Sequence, residues 1–472
     1  MTTEETTRSA LIERAVSRLR TAWRDLTASG RAAKPAPTDP DLPEEDQAGL
    51  IERIDACLEG KGGEVSARAR AADLGRHYLG LSPTGRHRFF QLLAERFGTD
   101  DREIRQAIDV LDGAHEQRSV LKAQRKLKAA LTPPCIRLLS QFTSLPDGIK
   151  FLVDLRTELR EVMGEAPQLN ALDDQLRELL AGWFDIGFLR LERITWRAPA
   201  ALLEKLAAYE AVHRVHSWQD LKNRLDSDRR YYAFFHPNMP EEPLIFVEVA
   251  LVEGLADNIQ ALLDMGAPAD DPAKADTAIF YSISNAQRGL VGLSFGAFLI
   301  KRVLDDLTRE LPSLKVFSTL SPIPGFRAWL ERRIAAGDET LLTPAALKEL
   351  KPFGSATTQA EMLATVLASP WQRDPGVSGA LMQPLLRLAA RYLVTAKQGD
   401  EPLDRVARFH LNNGARVERL NWLADSSANG LKQSFGVMVN YRYRPEEIEA
   451  NHEAYRGEGR IATAPAVKAL LN

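Results

Sequence analysis

Apolar residues in the first 190 positions recur three and four places apart, the spacing of helices with one buried face. The stretch 9–27 shows this spacing first, and it returns repeatedly further along. The pattern predicts helices over 46–59, 64–79, 83–97, 101–130, 134–142, 145–163 and 168–183. Runs typical of strands are nearly absent, so we expect an all-helical bundle domain over 1–190.

After Phe188 the pattern changes to short runs rich in aromatic and β-branched residues, which is typical of strands. These runs are Tyr231–Phe235, Leu244–Val252, Thr277–Ile283, Lys315–Leu320, Val417–Leu420 and Val437–Tyr443. Helical patterns separate them over 199–213, 217–225, 255–265, 296–310 and 327–398. This half is expected to be α/β or α+β with a mixed sheet, as one domain over 191–472, and the chain as a whole to be α+β.

One segment near the N-terminus fits neither pattern. Gly30–Glu45 holds four prolines and few apolar residues. Proline interrupts a helix, and a segment with so little apolar surface has little to bury. We therefore expect a mobile loop near 30–45.

Composition narrows the class of protein. Of the 472 residues, 44% are hydrophobic and 26% are charged, as in ordinary globular proteins. The net charge of -3 gives no basic field for nucleic acid, and two cysteines are too few for a disulfide scaffold or a thiolate metal cluster. No apolar run is long enough to span a bilayer. The N-terminus lacks the apolar core of a secretory signal, and its acidic residues Glu4 and Glu5 argue against a transit peptide. We expect a cytoplasmic enzyme with no nucleic-acid or membrane partner.

The segment Gly292–Gly296 fits two different chemistries. It reads Gly-Leu-Ser-Phe-Gly, the G-x-S-x-G pattern of hydrolases in which Ser294 would be the nucleophile. His410 and Asp425 could supply the base and the orienting acid, but in the order Ser, His, Asp, whereas that class has Ser, Asp, His. Asp404 would restore the order, yet it lies only six residues before His410.

The other interpretation makes this segment a cradle for a phosphate. Gly289, Gly292 and Gly296 lie between a strand-like and a helix-like run, and glycines let backbone N–H groups approach a pyrophosphate closely. The following helix would point its positive end at the same anion, and Lys301 and Arg302 could add charge. A tight strand-to-helix connection would use the same glycines.

A second serine stands at the end of a predicted strand. Ser318–Phe326 reads Ser-Thr-Leu-Ser-Pro-Ile-Pro-Gly-Phe. Pro322 biases Ser321 away from helical backbone, and Pro324 with Gly325 forces a turn. A serine held rigidly there is well placed to donate a hydrogen bond to a bound carbonyl, although a plain turn would use the same residues.

Of the eight histidines, His410 alone stands beside two asparagines and a glycine, in Phe409–Ala415, and we expect a short loop there. A histidine can give or take a proton near neutral pH, although a loop histidine can also be purely structural. His213 and His216 lie three apart near Glu210, but no third ligand completes a metal site, so an exposed helix face explains them better.

Two tyrosines close the last apolar strand, in Asn440–Tyr443. Strand alternation places Tyr441 and Tyr443 on one face and Arg442 on the other. Such an aromatic pair is found in hydrophobic cores as well as in functional sites.

Together these segments resemble the malonyl-CoA decarboxylase family. The shared strings are Gln287–Leu290 running into Gly292, Gly296–Val303, Phe317–Phe326, Phe409–Ala415, and Asn421-Trp422 with Ala424-Asp425 running on to Asn440–Tyr443. Weaker likeness upstream, in Ile194–Arg197 and Val65–Arg68, extends the resemblance over most of 60–445. The Ser-Pro-Ile-Pro-Gly-Phe and Phe-His-Leu-x-Asn-Gly-Ala strings are specific to that family.

The resemblance implies a helical domain joined to a catalytic domain of GNAT-like acyltransferase fold. It implies that CO2 is removed from malonyl-CoA to give acetyl-CoA without a metal or prosthetic group. It assigns catalysis to Ser321 and His410, with Tyr443 as a further residue of the site. It assigns coenzyme A binding to a segment that we call the cradle loop, which consists of Val291, Gly292, Leu293, Ser294, Phe295, Gly296 and Ala297.

The family resemblance also bears on the choice at Ser294. Members can carry a carboxylate at that position, which argues against an obligatory nucleophile. A helical domain of this length further suggests self-association, as a dimer or tetramer.

The implied chemistry suits the residues. Decarboxylation of a malonyl thioester leaves an enolate, which Ser321 and loop amides could stabilise and His410 could protonate. Two alternatives stay open: a serine hydrolase or acyl-CoA thioesterase that uses Ser294, and a non-catalytic coenzyme-A-binding helical scaffold.

Overall fold

The computed structural model describes residues 17–24, 26, 39–60, 63–184, 186–293 and 298–471. Up to residue 184 the described chain forms helices and no strand, as predicted. The helices are α1 Glu44–Leu58, α2 Glu64–Gly80, α3 Pro83–Arg96, α4 Asp101–Asp112, α5 Gln117–Leu131, α6 Pro134–Ser140, α7 Gly148–Val162 and α8 Pro167–Ala181. Several of their starts follow local rules: Ser82 accepts the N–H of Gly85 ahead of a proline, and Asp100 accepts that of Arg102.

The single helix predicted over 101–130 is wrong, because the chain breaks after Asp112 into α4 and α5. Gly113 ends the first of these helices and Glu116 precedes the second, and the two helices pack against each other as a hairpin. Within these two fully described helices, Ala107 and Ala123 are the buried residues. The hairpin therefore shares little of its surface with the rest of the chain.

The mobile loop near 30–45 stays a prediction. Residues 30–38 lie outside the described residues, but Leu42 is fully buried and the carbonyl of Pro40 accepts the N–H of Ser82 at 2.8 Å. Helix α1 already begins at Glu44. The segment lies close to α3, since a side chain at Gly85 would collide with the carbonyl oxygen of Pro40.

The second half contains an eight-stranded sheet. Its strands are β1 Arg190–Ile194, β2 Arg229–His236, β3 Met239–Val252, β4 Thr277–Asn285, β5 Val316–Thr319, β6 Ser321–Pro322, β9 Arg416–Asn421 and β10 Met438–Tyr443. β1 to β4 run antiparallel in chain order, β5 lies parallel to β4, and β10 pairs with β5 and β6 on one side and with β9 on the other. The mixed sheet is thus confirmed, although sequence patterning missed β1. Two short strands, β7 Lys397–Gln398 and β8 Glu401–Pro402, pair separately.

The helices of this half are mostly shorter than predicted, and the single pattern over 327–398 divides into four. They are α9 Ala200–Tyr209, α10 Trp218–Asn223, α11 Ile259–Leu262, α12 Phe298–Glu310, α13 Phe326–Ala335, α14 Pro344–Leu350, α15 Gln359–Ala368, α16 Pro375–Val394, α17 Arg405–Asn412, α18 Ala428–Ser434, α19 Ile448–Glu458 and α20 Pro465–Leu471. The largest hydrophobic core joins residues of the helical region, such as Leu152, to residues of the sheet, such as Phe280. The domain division at 190 stays a prediction.

The β4–α12–β5 crossover positions the cradle loop. Leu299, Ile300, Val303, Leu304 and Leu307 form one helical stripe of α12 and are buried in the main core. A helix that joins two parallel neighbouring strands must cross one face of the sheet, so its start lies at the end where β4 finishes. The described start of the cradle loop, up to Leu293, therefore lies at the carboxyl edge of β4.

Candidate active site

Ser321 lies where the sheet bends between β5 and β6. Leu320, which separates these strands, is fully buried, and its N–H donates to the carbonyl of Phe280 on β4 at 3.0 Å. Ser321 pairs with Val439 of β10 and is only 6% exposed. The backbone at Ser321 is therefore held by β10 on one side and, through Leu320, by β4 on the other.

His410 lies on the last turn of α17, so the predicted short loop is wrong. Asp404 caps the start of this helix by accepting the N–H groups of Val406 and Ala407 at 3.0 and 2.8 Å. Gly414 then reverses the chain with φ +76°, where any side chain would collide with the carbonyl oxygen of Ile448. The polar residues that suggested a loop are thus the end of a short helix.

The structure brings Ser321, His410 and Tyr443 together as one hydrogen-bonded chain, which we call the Ser–His–Tyr cluster. His410 Nε2 lies 3.1 Å from Ser321 Oγ, and His410 Nδ1 lies 2.7 Å from the Tyr443 hydroxyl. Ser321 Oγ also donates to Thr319 Oγ1 at 2.9 Å. These three residues, 89 and 33 positions apart along the chain, were the predicted catalytic set.

Tyr441 also contacts the imidazole ring of His410. Its ring stacks on that of His410, with 4.5 Å between centroids and 23° between planes. Tyr441 and Tyr443 both reach His410, so the predicted common face is confirmed. The stacked ring and the Tyr443 hydroxyl together fix the orientation of the imidazole.

Asn440 and Thr319 stabilise the site through hydrogen bonds within the sheet. The sequence analysis assigned no role to either residue. Asn440 Nδ2 donates to the carbonyl of Thr319 at 2.6 Å, while its Oδ1 accepts from Asn421 Nδ2 at 2.8 Å. Thr319 Oγ1 accepts the N–H of Tyr441 at 3.0 Å. Both residues stand inside the strings that carried the family resemblance, so their identity was available but their contacts were not.

Burial keeps His410 and Tyr443 uncharged at neutral pH. Burial lowers the pKa of His410 to about 3, and it raises the pKa of Tyr443 well above its ordinary value. Burial also raises the pKa of Asp404 to about 6, although hydrogen bonds from the backbone N–H groups of Ala407, Val406 and Gly325 favour the charged form. At neutral pH the free site therefore presents an uncharged imidazole and an intact tyrosine hydroxyl.

The cradle loop is described up to Leu293. Val291 is 48% exposed, and Gly292 has φ +85°, a backbone conformation that favours glycine. The predicted binding residues Ser294, Phe295, Gly296 and Ala297 lie outside the described residues. The described start of the loop is thus an exposed, glycine-dependent turn.

The carboxylates considered for a hydrolase triad do not hold His410. Asp425 Oδ1 accepts from Gln260 Nε2 at 2.9 Å and from the N–H of Ser427 at 3.0 Å. Asp404 caps a helix, and both nitrogens of the imidazole bond to Ser321 and Tyr443. This arrangement does not favour a hydrolase built on His410 with either acid.

His213 and His216 lie beyond the end of α9, in a loop, so the predicted helix face is wrong. The N–H of His213 donates to Glu210 Oε1 at 2.8 Å. Within the described ranges, no group of three or more His, Cys, Asp or Glu residues could hold a metal ion. Across those same ranges, no helix combines the length and the apolar composition needed to cross a bilayer.

Two family models match this chain. The malonyl-CoA decarboxylase C-terminal domain matches residues 187–472, which include the whole Ser–His–Tyr cluster. The malonyl-CoA decarboxylase N-terminal domain matches residues 97–184, within the helical region.

Individual relatives agree with these matches. "Malonyl-CoA decarboxylase, mitochondrial" of Rattus norvegicus is 37% identical over 421 residues, which cover 86% of each chain. The protein of the same name from Anser anser anser is 36% identical over 422 residues, which cover 86% of this chain and 84% of that relative. The crystal structure of malonyl-CoA decarboxylase from Rhodopseudomonas palustris superposes with a TM-score of 0.82 at 42% identity, covering 92% of this chain and all of that one. That from Agrobacterium vitis gives 0.79 at 39% identity, covering 90% of this chain and all of that one. The chain therefore belongs to the malonyl-CoA decarboxylase family.

Proposed function

We propose that this chain converts malonyl-CoA to acetyl-CoA and CO2 at the Ser–His–Tyr cluster. The observation that carries the proposal is the buried hydrogen-bonded chain from Ser321 through His410 to Tyr443. It offers a hydroxyl donor and a proton donor side by side in a site that excludes water. Decarboxylation of a thioester needs those two groups.

The first step breaks the bond between C2 and the carboxylate carbon. The electron pair of that bond moves into the C1–C2 bond, so that an enolate forms with its charge on the thioester oxygen, and CO2 leaves. The Ser321 hydroxyl turns from Thr319 to donate to this oxygen, together with backbone amides nearby. The dry setting favours loss of the carboxylate because the charge becomes spread over a larger group.

The second step adds a proton to C2. Because the Ser321 hydroxyl donates to Thr319 Oγ1, its contact with His410 places the imidazole hydrogen on Nε2, and Tyr443 then donates to Nδ1. An enolate carbon is a much stronger base than imidazolate, so the neutral ring can give up this hydrogen. The Tyr443 hydroxyl stabilises the imidazolate through Nδ1. Once acetyl-CoA has left, the ring takes a proton back at Nε2 from solvent, which restores the starting tautomer.

The cradle loop, Val291–Ala297, is the proposed site for the coenzyme A phosphates. The exposure of Val291 and the positive φ of Gly292 support this role, because an anion can approach the backbone there. The start of α12 directly after the loop would add its positive end to the attraction.

A GNAT-like catalytic domain remains the proposed finer fold. The support is the single parallel pair in an otherwise antiparallel sheet. β4 and β5 pair only from Thr277 to Phe280 on the β4 side, yet β4 continues to Asn285. The pairing ends because β5 itself ends at Thr319, so the last residues of β4 lie beyond β5. The pantetheine arm of the substrate is proposed to lie beside this end of β4.

Self-association, as a dimer or tetramer, is proposed through the α4–α5 hairpin. Ile108, Leu121 and Leu131 of this hairpin are exposed although they are apolar. A second copy that covers them would remove this surface from water. Light scattering at micromolar concentration tests the proposal.

The remaining expectations concern cofactors and location. That the reaction needs no metal or prosthetic group stays a prediction, and dialysis against a chelator should leave activity unchanged. The cytoplasmic location also stays a prediction, since the curated relatives from the rat and the goose are named as mitochondrial proteins.

Mass spectrometry of the products formed from malonyl-CoA tests the function directly. Acetyl-CoA and CO2 in equal amounts are the expected result. Free coenzyme A with malonate would instead support the thioesterase, and no turnover by the folded protein would support the non-catalytic scaffold. Either of these results would overturn the proposal.

A further inference from the structure

Arg156 of α7 is a buried charge on an otherwise apolar helix face. It is 1% exposed, and its neighbours on that face, Leu152, Leu155 and Leu159, lie in the main core. Its guanidinium bonds to both oxygens of Asp173 on α8, with Nε to Oδ1 at 2.8 Å and the second nitrogen to Oδ2 at 3.1 Å. Asp173 also accepts from Arg160 Nη1 at 2.9 Å, so one carboxylate pairs with two guanidinium groups.

The same guanidinium also reaches the turn before the cradle loop. One terminal nitrogen donates to the carbonyl of Gly289 at 2.7 Å and to that of Val291 at 2.9 Å. Residues Arg288–Leu290 form this 3-10 turn, which we call the anchor turn. Arg156 thus ties the helical region directly to the backbone at which the cradle loop begins.

Gly289 shows how closely the anchor turn approaches α7. A side chain at Gly289 would collide with the carbonyl oxygen of Val153 and would lie 3.0 Å from Thr157 Oγ1. Only a glycine therefore allows the turn to sit at this distance from the helix. The contact between the anchor turn and α7 thus depends on the absent side chain of Gly289 and on the long side chain of Arg156.

The position of the Val291 carbonyl fixes the direction of the next amide. In a trans peptide the C=O and the following N–H point in opposite directions. Because the Val291 carbonyl points to Arg156, the N–H of Gly292 points away from α7, towards the exposed side of the loop. An anion bound on that side would meet this N–H as a donor that is already oriented.

We propose that Arg156 is a positioning residue for coenzyme A binding, acting through the Val291–Gly292 peptide. The inference rests on the proposed role of the cradle loop in binding the coenzyme A phosphates. It gives the helical region a part in holding the substrate, in addition to any part in self-association. Arg156 itself does not touch the phosphate, because its side chain is buried and paired with Asp173.

Two substitutions loosen the contact from opposite sides. Arg156→Lys keeps the charge but cannot bridge a carboxylate and two carbonyls with one ammonium group. Gly289→Ala pushes the anchor turn off α7 and leaves Arg156 in place. Each should weaken the binding of coenzyme A, measured by calorimetry, about tenfold, and raise KM for malonyl-CoA in parallel, with kcat within about twofold of the unchanged protein.

Arg224→Lys is the matched control. Arg224 is also a buried arginine that bonds to a carboxylate, Asp220, at 2.8 Å and to two backbone carbonyls, His213 and Arg214, at 2.7 and 2.9 Å. None of these partners belongs to the cradle loop or the anchor turn. This variant should lower the melting temperature about as much as Arg156→Lys while its affinity for coenzyme A stays within about twofold.

Two results would overturn the role of Arg156, and the Gly292→Val variant then shows whether the proposed coenzyme A site is wrong as well. Folded Arg156→Lys and Gly289→Ala variants with unchanged affinity, or an equal loss of affinity in Arg224→Lys, would remove the positioning role. If Gly292→Val weakens binding in that case, the cradle loop stands and only the role of Arg156 is wrong. If Gly292→Val also binds coenzyme A normally, the phosphate site itself lies elsewhere. Should Arg156→Lys fail to fold, Gly289→Ala decides alone.

Discussion

The Ser–His–Tyr cluster and the cradle loop are built in opposite ways. The cluster is buried, and each of its side chains is held by strands, a capped helix or another side chain. The described start of the cradle loop is exposed at Val291, and Gly292 takes a positive φ there. The difference fits the proposed roles, in which the cluster carries out the chemistry and the loop binds coenzyme A.

Solvent explains why the two regions need different construction. A neutral proton donor must be kept from water, and burial supplies this by holding the imidazole uncharged. A phosphate arrives and leaves with its hydration shell, so its site must be open to water and rich in oriented N–H groups. We therefore expect changes in the cluster to alter kcat and changes in the loop to alter KM and affinity.

The largest effect is expected from His410→Asn. Asparagine cannot protonate C2, so kcat should fall by about two to four orders of magnitude, the usual value of general acid catalysis. Affinity for acetyl-CoA, measured by calorimetry, should change little because the cradle loop is untouched. Near-normal turnover in the folded variant would end the assignment of His410 as the proton donor.

Ser321→Ala should come next. Loss of one donor to the enolate oxygen is expected to lower kcat by about two to three orders of magnitude. Ser294→Ala, in the cradle loop, is the matched control and should lower kcat much less. A fluorophosphonate probe should label neither serine, because no acyl-enzyme forms. Labelling of Ser294, with activity lost in its alanine variant and kept in Ser321→Ala, would support the hydrolase instead.

The sequence allowed much of the cluster to be predicted. Strand alternation placed Tyr441 and Tyr443 on one face, and the proline pattern placed Ser321 at a strand end, because both features depend on local backbone rules. The position of His410 on a helix was missed, since asparagine and glycine near a helix end resemble a loop in sequence. The link between His410 and Ser321, 89 residues away, came from the family resemblance and not from periodicity.

Other features depended on contacts that no local pattern contains. β1 is a short edge strand whose residues are mostly exposed, so its run Arg190–Ile194 carries little apolar signal. In the sequence, Arg156 is a charged residue at a position where the helical spacing predicts an apolar one. This pattern indicates a charge that is paired inside the protein, but only the fold shows which residues pair with it.

The cradle loop can be tested with Gly292→Val. Valine is disfavoured at φ +85° and its side chain would stand where an anion approaches, so affinity for coenzyme A should fall about tenfold while kcat stays within about threefold. Gly337→Val is the matched control, because Gly337 also has positive φ, at +68°, and is surrounded by open space. Equal affinity in the two variants would move the phosphate site away from this loop.

The smallest expected effect concerns the charge of His410 in the free protein. Burial lowers its pKa to about 3, so the ring should stay neutral throughout pH 5.5 to 8, and it should gain a proton only far below that range. Selective 13C labelling of the histidine rings, with the His410 signal identified by its loss in His410→Asn, should show a constant chemical shift over this range. In urea the same signal should titrate near the ordinary value of about 6.5, which verifies the probe. A titration near 6.5 in the folded protein would mean that the cluster is open to water. The contrast with the cradle loop would then fail, and the proton given to C2 would come from an imidazolium rather than from the neutral ring.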